Sequence, residues 1–446
     1  MTSFDNFGLA EPIMRALIEE KYETPTPIQV ETIPVALSGC DVIGIAQTGT
    51  GKTAAFALPI LQRLSAEPRA PQRKACRVLV LSPTRELSGQ ILDAFQAYGR
   101  HLRVSATLVI GGVPMGRQVR ALLNGVDVLV ATPGRLIDLV RANALRLSDV
   151  EVLVLDEADR MLDMGFIRDI RTIVAKLPSR RQTLFFSATM PLAIAELAED
   201  MLNSPAKVAV TPAATTVERV EQQVIHVDRA AKPSMLADLL ARAPIERALV
   251  FTRTKHGADR VVRGLARAGI AAEAIHGNKS QNQRERALAA FRKGAVRTLV
   301  ATDIAARGID VDGVSHVVNF DLPNVPETYV HRIGRTARAG ADGVAISFCD
   351  AEETAFLRDI ERLIRMTIPA TDRRSASRRQ CDAIHDGRKA RPRPAAATKQ
   401  QRYERSKARP PQRDRRERAR ADGPEYGIAD VAFMRRGNEQ GREGRS

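Results

Sequence analysis

The chain has no tryptophan, and aromatic residues make up only 4% of its 446 residues. A platform that holds a single strand by stacking bases needs aromatic faces, so that class of binding protein fits poorly. Cysteine is also scarce. The four cysteines, Cys40, Cys76, Cys349 and Cys381, are scattered with no C-x-x-C pair. That argues against a zinc site or a disulfide framework and for reduced thiols in a cytoplasm. No apolar run approaches the roughly 18 residues needed to cross a bilayer. The opening residues, MTSFDNFGLAEP, lack a charged segment followed by an apolar core, so no signal peptide is expected. A cytoplasmic protein with no membrane attachment is the resulting expectation. A positive core is missing as well. Residues 373–446 hold 22 Lys+Arg against 10 Asp+Glu, a net of +12 out of +16, whereas the remainder holds 46 against 42. The basicity that points to nucleic acid therefore resides mostly in a tail.

Apolar segments of strand length are plentiful. Residues 77–83 (RVLVLSP), 126–133 (VDVLVATP), 150–159 (VEVLVLDEAD) and 182–189 (QTLFFSAT) are short Val/Leu-rich runs ending in small, polar or charged residues. Continuous runs of this kind suit strands buried on both faces of a parallel sheet. Helical patterns lie between them, at residues 86–98 and 191–202. The second half repeats the scheme at residues 247–254, 297–303, 314–323 and 343–349. The expected fold is therefore α/β, with two tandem domains built on parallel sheets and a disordered basic tail. The first domain is expected over residues 1–205, a linker over 206–220, the second domain over 221–369 and the tail over 370–446. The tail is rich in Arg, Pro and Gln and too poor in large apolar residues to fold alone.

Residues 46–53, AQTGTGKT, follow an apolar run and precede a helix-like AAFALPILQRL. This is a phosphate-binding loop comprising Ala46, Gln47, Thr48, Gly49, Thr50, Gly51, Lys52 and Thr53. Its backbone N–H groups cradle phosphates, Lys52 supplies a point charge, and the Thr53 hydroxyl ligates magnesium at a helix N-terminus. Ala46 stands where the general pattern has Gly. Asp156, Glu157, Ala158 and Asp159 follow the strand VEVLVL. A carboxylate at a strand end beside such a loop can hold the metal and its neighbour can act on water, which assigns Asp156 and Glu157. ATP and Mg²⁺ are the expected ligands.

SPTREL (82–87), ATPGR (131–135), SAT (187–189), ATDIAARGID (301–310) and HRIGRTARAG (331–340) join AQTGTGKT and DEAD in a series. Together they resemble the motifs of DEAD-box RNA helicases, in the family's order and over about residues 1–369. VFTRTKHG (250–257) and AIHGNKSQ (274–281) resemble the bacterial RhlE-type subgroup. The resemblance implies two RecA-like domains that close around ATP and RNA. It implies that Gln29, in YETPTPIQ, reads the adenine edge and that Tyr22 stacks on the base, with Phe4 as a remote aromatic of the same module. The family's Gly before that aromatic is Lys21 here. His331, Arg335 and Arg338 are spaced i, i+4 and i+7, as on one face of a helix. By resemblance Arg335 and Arg338 are arginine fingers, Asp310 contacts the ribose, and Asp159, Ser187 and Thr189 couple hydrolysis to closure. Ala337 replaces the family's usual Gly.

RNA contacts implied by the family fall on Pro83, Arg85, Gly112, Thr132, Gly134 and Arg135 in the first half. In the second half they fall on Thr252, Gly277, Gln281, Arg284, Thr302 and Gly308. Such groups hold phosphates and sugars without reading sequence. The leading reading is an RNA-stimulated ATPase that separates short duplexes, remodels RNA or RNA–protein complexes, and has ribosome-assembly or RNA-degradation machinery as candidate partners. A DNA helicase is the rival within enzymes, and an ATP-gated clamp without turnover is the rival outside them. The tail reads either as an electrostatic RNA tether or as a solvated extension. The apolar patch of Tyr426, Ile428, Val431, Phe433 and Met434 within it is a candidate docking motif.

Overall fold

The computed structural model describes residues 3–47, 49–210, 220–242, 245–306, 311, 313–337 and 342–375. Thr48, Gly308, Asp310, Arg338 and the tail beyond residue 375, including the Tyr426–Met434 patch, lie outside the described residues.

Strands β1 (Val42–Ile45), β2 (Cys76–Leu81), β3 (Ala106–Val109), β4 (Val126–Ala131), β5 (Val152–Leu155), β6 (Gln182–Ser187) and β7 (Ala206–Ala209) form one parallel sheet. Its order is β3-β4-β2-β5-β6-β1-β7. A second parallel sheet is built from β8 (Val220–His226), β9 (Ala248–Thr252), β10 (Ala272–Ile275), β11 (Thr298–Thr302), β12 (His316–Asn319), β13 (Gly343–Cys349) and β14 (Ala370–Asp372). Its order, β10-β11-β9-β12-β13-β8-β14, repeats the first strand for strand. The strands anticipated from continuous Val/Leu runs are the central ones. β2, β4, β5 and β6 are buried along their whole length, as helices on both faces require.

Two boundaries differ from the sequence expectation. Residues 206–209, placed in a linker, pair with β1 as the edge strand β7. Residues 370–372, placed in the tail, pair with β8 as β14. Both strands are short and lie at sheet edges, where a strand has one neighbour and little apolar content. The sheet's unpaired N–H and C=O groups, rather than hydrophobic runs, recruit them.

Each domain also caps the helix after its second strand in the same way. Thr84, at the start of the helix Arg85–Tyr98, accepts from the Leu87 N–H; Thr254, at the start of the helix Lys255–Arg267, accepts from the Gly257 N–H. A Thr side chain in extended backbone satisfies an otherwise orphan donor of the first turn. This places the polar residues that follow β2 and β9 at the carboxyl ends of the strands, where open α/β sheets bind ligands. No described helix is long and apolar enough to cross a membrane.

Candidate nucleotide and RNA site

β1 and β5 flank β6, so the phosphate loop, the 156–159 acidic turn and the 187–189 segment emerge side by side. The Ala46 N–H bonds the Ser187 carbonyl, fixing the start of the loop to the end of β6. Gly51 has φ +96°, and a Cβ there would lie 2.5 Å from Gln29 Nε2 and 2.9 Å from Thr26 Oγ1. Only glycine tolerates both the left-handed backbone and that approach. The approach has a purpose. Gln29 Oε1 accepts from the Thr26 N–H at 2.9 Å, and Nε2 donates to the Gly51 carbonyl at 3.1 Å. An amide has two donors and two acceptor sites, so one of each remains for an adenine edge.

Tyr22 sits 6.0 Å from Phe4 and 5.5 Å from Tyr98, in edge-on arrangements, and its hydroxyl pairs with that of Tyr98 at 2.7 Å. Phe4 is 2% exposed and lies against Tyr22. Its ring therefore supports Tyr22 and has no face open to a base. Tyr98, which no local pattern singled out, completes this aromatic wedge.

Lys52, the first residue of the helix Lys52–Ala66, is buried, and its amine donates to the Ala46 carbonyl at 3.0 Å. Asp156 is 2% exposed, and its Oδ1 has no hydrogen-bond partner among the described residues. Burial pushes its carboxyl up to about 6; Glu157 and Asp159 add to the rise and Lys52 opposes it. A buried carboxylate oxygen left open beside a lysine is what a cation–phosphate group would satisfy. Among the described residues no three His, Cys, Asp or Glu side chains are grouped as a metal cage. A cation here would thus take much of its shell from phosphates and water, as Mg²⁺ commonly does.

Glu157 has φ +56°, a left-handed conformation that is strained for a residue with a Cβ. It ion-pairs with Arg160 at 3.3 Å. Asp159 joins the neighbouring strand end: its Oδ2 accepts from the Thr189 N–H at 2.9 Å and from the Thr189 hydroxyl at 3.0 Å. Ser187 Oγ accepts from the Asp159 N–H and donates to the Thr189 carbonyl. The acidic turn and the 187–189 segment thus form one hydrogen-bonded unit.

The second domain brings His331 and Arg335 to this unit. Burial, followed by the charges of Arg160 and Arg335, holds the His331 imidazole down to about 4, against Asp159 and Glu157. Burial and Arg160 hold Arg335 down to about 9, with Glu157 opposing. Arg160 and Arg335 also line one small cavity with Asp303, Thr328, His331 and Arg332. Arg160 is thus a first-domain residue that meets the second domain beside the acidic turn, and only its position after that turn could have hinted at it.

The helix expected to carry three site residues on one face ends sooner. It runs Pro326–Ile333, and Gly334 caps it. Arg335 is delivered by the turn that follows, where the Arg335 and Thr336 N–H groups bond to the Arg332 and Ile333 carbonyls and Thr336 Oγ1 donates to the Val314 carbonyl at 2.5 Å. Ala337 then takes φ +55°. Buried Arg332 anchors this end of the helix, with a two-pronged pair to Asp303 and bonds to Asn319 and the Asp321 carbonyl.

The residues carried over as RNA contacts lie at or just beyond strand ends: Pro83 after β2, Gly112 after β3, Thr132, Gly134 and Arg135 after β4, then Thr252, Gly277, Gln281, Arg284 and Thr302 around β9, β10 and β11. Two pairs meet across the domains. Arg85 Nη1 donates to Gln281 Oε1 at 3.3 Å, and Arg284 pairs with Glu86 at 2.9 Å. Burial and the Arg284 charge hold the Arg85 guanidinium below its usual range, Glu86 opposes this, and Arg135 adds to it. Three arginines converging in a half-buried groove favour an anion between them. Gly112 leaves them room: a Cβ at its φ of +79° would lie 2.3 Å from Arg85 Nη1.

The profile of the DEAD/DEAH box helicase family matches residues 26–197, and that of the helicase conserved C-terminal domain matches residues 231–340. The chain is 46% identical to the DEAD-box ATP-dependent RNA helicase CshA of Geobacillus kaustophilus over 377 residues, covering 83% of this chain and 80% of CshA. It is 45% identical to the RNA helicase CrhR of Synechocystis over 368 residues, covering 82% and 74%. Among solved structures, Saccharomyces cerevisiae Dbp5 bound to RNA and ADP BeF3 superposes with a TM-score of 0.74 at 31% identity, covering 87% of this chain and 99% of Dbp5. Mss116p bound to ssRNA and AMP-PNP gives 0.72 at 28% identity, covering 86% and 81%. With two repeated parallel-sheet domains, a phosphate loop beside an acidic turn, and relatives matched over most of their length, the chain belongs to the DEAD-box ATP-dependent RNA helicases, RNA-stimulated ATPases of RecA-like fold.

Proposed function

We propose that ATP binds on the first domain against Lys52 and the loop at residues 46–53, and that hydrolysis is completed by residues the second domain brings to Glu157. The observation that carries this reading is the meeting of Glu157, Arg160, His331 and Arg335 next to the phosphate loop. Gln29 presents its spare amide donor and acceptor to adenine, and Tyr22, braced by Phe4 and Tyr98, supplies the apolar face. Asp156 and Thr53 would hold Mg²⁺, which when bound neutralises phosphate charge. Glu157 orients a water for attack on the γ-phosphorus and takes its proton; the water's oxygen bonds to phosphorus as the bond from the γ-phosphorus to the bridging oxygen breaks and ADP leaves with that oxygen. Arg335 and Arg338 neutralise the charge developing on the γ-oxygens, as arginine fingers do, and Asp310 takes the ribose. The hydrogen-bonded unit of Asp159, Ser187 and Thr189 links that event to the relative placement of the domains.

RNA lies over the strand ends marked by Arg85, Arg135, Gln281 and Arg284, and the family resemblance adds Gly308 as a contact. Gaining phosphates would cost this groove its Arg85–Gln281 contact and exchange the Arg284–Glu86 pair for stronger anion contacts. Residues 1–205 and 221–369 act as the two closing halves, with the short edge strands added. VFTRTKHG and AIHGNKSQ support placement in the RhlE-type subgroup, beside relatives that carry the names CshA and CrhR. A cytoplasmic role with ribosome-assembly or RNA-degradation machinery fits an enzyme that remodels RNA without reading sequence.

Two variants test the assignment. Lys52→Ala should lose ATPase activity because the phosphate charge is gone. Glu157→Gln should still bind ATP and retain RNA in its presence, because only the action on water is removed. Rapid turnover by the Glu157→Gln protein would falsify the assignment.

A further inference from the structure

The second domain carries a cavity of about 1140 Å³ beside the site described above, with Asp303 and Thr328 common to it and to the small cavity there. It lies along the helix Lys255–Arg267, between that helix, the segment around Arg229 and Lys232, and the loop that follows β12. His256, Arg260, Arg263 and Arg267 all line it and all are exposed. Their spacing of four, three and four residues puts them on one helix face as a continuous basic stripe. Arg229 adds a further charge; its pair with Glu352 is exposed on both sides, so it is weak and exchangeable. Among the described residues, Arg260, Arg263 and Arg267 form no ion pair. Two acids of the cavity are already engaged: Asp303 holds Arg332 from two sides, and Asp321 accepts the Arg253 N–H; the third, Glu352, is the exposed partner of Arg229.

Two kinds of anion would suit a basic cavity at strand ends, a compact one and a long one. A compact polyphosphate would need the lysine that stands at the start of the helix Lys232–Arg242, in the place Lys52 holds in the first domain. Lys232 is 1% exposed and is already held by Glu353 at 2.5 Å and Asp350 at 3.2 Å. It has no charge to spare. The available guanidinium charges run from Arg260 to Arg267, about 10 Å along the helix axis. At roughly one phosphate per 3.4 Å of strand, a value taken from duplex DNA, that length faces about three phosphates. The stripe is also continuous with the strand ends already assigned to RNA. Arg253 and Thr254, which follow Thr252, line its near end, and so does Asp303, which follows Thr302.

We infer that the Arg260–Arg263–Arg267 stripe is a second RNA surface, which holds the phosphate backbone of the strand where it leaves the cleft over the second domain. This rests on the RNA path proposed above and extends it. The stripe adds affinity and length preference, with no sequence preference and no part in hydrolysis.

The test uses the full chain with Arg260→Glu, Arg263→Glu and Arg267→Glu combined, and an ATP analogue that is not hydrolysed. Binding is measured to oligouridine of about 6 and about 20 nucleotides, a range spanning the site sizes of single-strand grooves. Wild-type protein should prefer the longer strand. The triple variant should lose that preference, binding the longer strand on the order of tenfold more weakly, with a log–log salt slope shallower by about 2 units. Its affinity for the short strand, and ATPase stimulated by the short strand, should match wild type, which also reports that the variant folds. The triple Lys variant should restore the slope, since only charge is asked of the stripe. Unchanged binding of both strands would overturn the inference and leave the stripe to an acidic protein partner. An equal loss on both lengths would overturn it too, because the stripe would then belong to the central path. Failure of the short strand to stimulate wild-type ATPase would instead count against the RNA path itself.

Discussion

Lys52 and Lys232 begin equivalent helices in two sheets of the same strand order, after β1 and after β8. Among the described residues Lys52 donates only to the Ala46 carbonyl, and it faces an acidic strand end whose Asp156 Oδ1 has no partner among them. Lys232 is enclosed by Glu353, Asp350 and, at 3.9 Å, Asp321, with the Phe320 ring 5.9 Å away. Glu353 is itself fully engaged, accepting also from Arg253 and the Leu322 N–H. One fold therefore supports two outcomes at the same position. Where polar groups are left unsatisfied, a ligand can complete them. Where they satisfy one another, the same lysine becomes part of the core.

The comparison breaks most visibly under lysine removal. Lys52→Ala should lower turnover on the order of 10²–10³-fold, the usual cost of losing one fixed charge-stabilising group, with little change in melting temperature. Lys232→Ala should do the reverse. It takes one of two cations from Glu353, which keeps Arg253, and leaves Asp350 a buried charge without its lysine, which costs about 3–5 kcal/mol in comparable cases. Thermal unfolding and ATPase assays on the two proteins should separate cleanly; a Lys232→Ala protein as stable as wild type would mean that the cluster is solvated.

A smaller effect sharpens how far the second domain depends on the first. The His331 imidazole is held at about 4 against an ordinary 6.5 by burial, with Arg160 as the largest charge. The closed arrangement thus favours the neutral ring. Its contribution is complete above pH 6.5 and declines as pH falls toward 4, where the open or unfolded chain takes up a proton that the closed one refuses. Up to about 3 kcal/mol is at stake over that interval. An interdomain distance probe should report opening over this range in wild type and lose that dependence in His331→Gln. An unchanged profile would mean that His331 is not desolvated by closure.

The smallest effect compares one strained turn in each domain. Lys21 (φ +61°) and Ala337 (φ +55°) are both left-handed without being glycine. Lys21→Gly and Ala337→Gly should each relieve about 1 kcal/mol of strain. Part of this is offset by the entropy glycine brings to the unfolded chain. Melting temperatures that fall in both variants would show that the side chains earn their places through packing.

These two turns also show how sequence and structure divided the task. The substitutions were visible in the sequence, yet their backbone conformation was not, because a φ value belongs to the turn and its neighbours. The central strands were legible because β2, β4, β5 and β6 are buried on both faces and so need unbroken apolar runs. β7 and β14 were not, since three or four residues at a sheet edge follow the backbone of their neighbour.

The sequence by itself determined the phosphate loop, the acidic turn and the family, because each is a short stretch whose chemistry depends on residues adjacent in the chain. Tertiary structure decided the rest. It set Tyr98 against Tyr22 and Gln29 against Gly51. It ended the helix at Ile333, so that a turn and not a helix face delivers Arg335. It placed Arg160 between Glu157 and the second domain. It also closed Lys232 against Asp350 and Glu353, carboxylates more than a hundred residues away in the chain, while leaving Lys52 facing the acidic turn. Groups so distant in sequence leave no local pattern, and whether a buried charge is satisfied depends on everything packed around it.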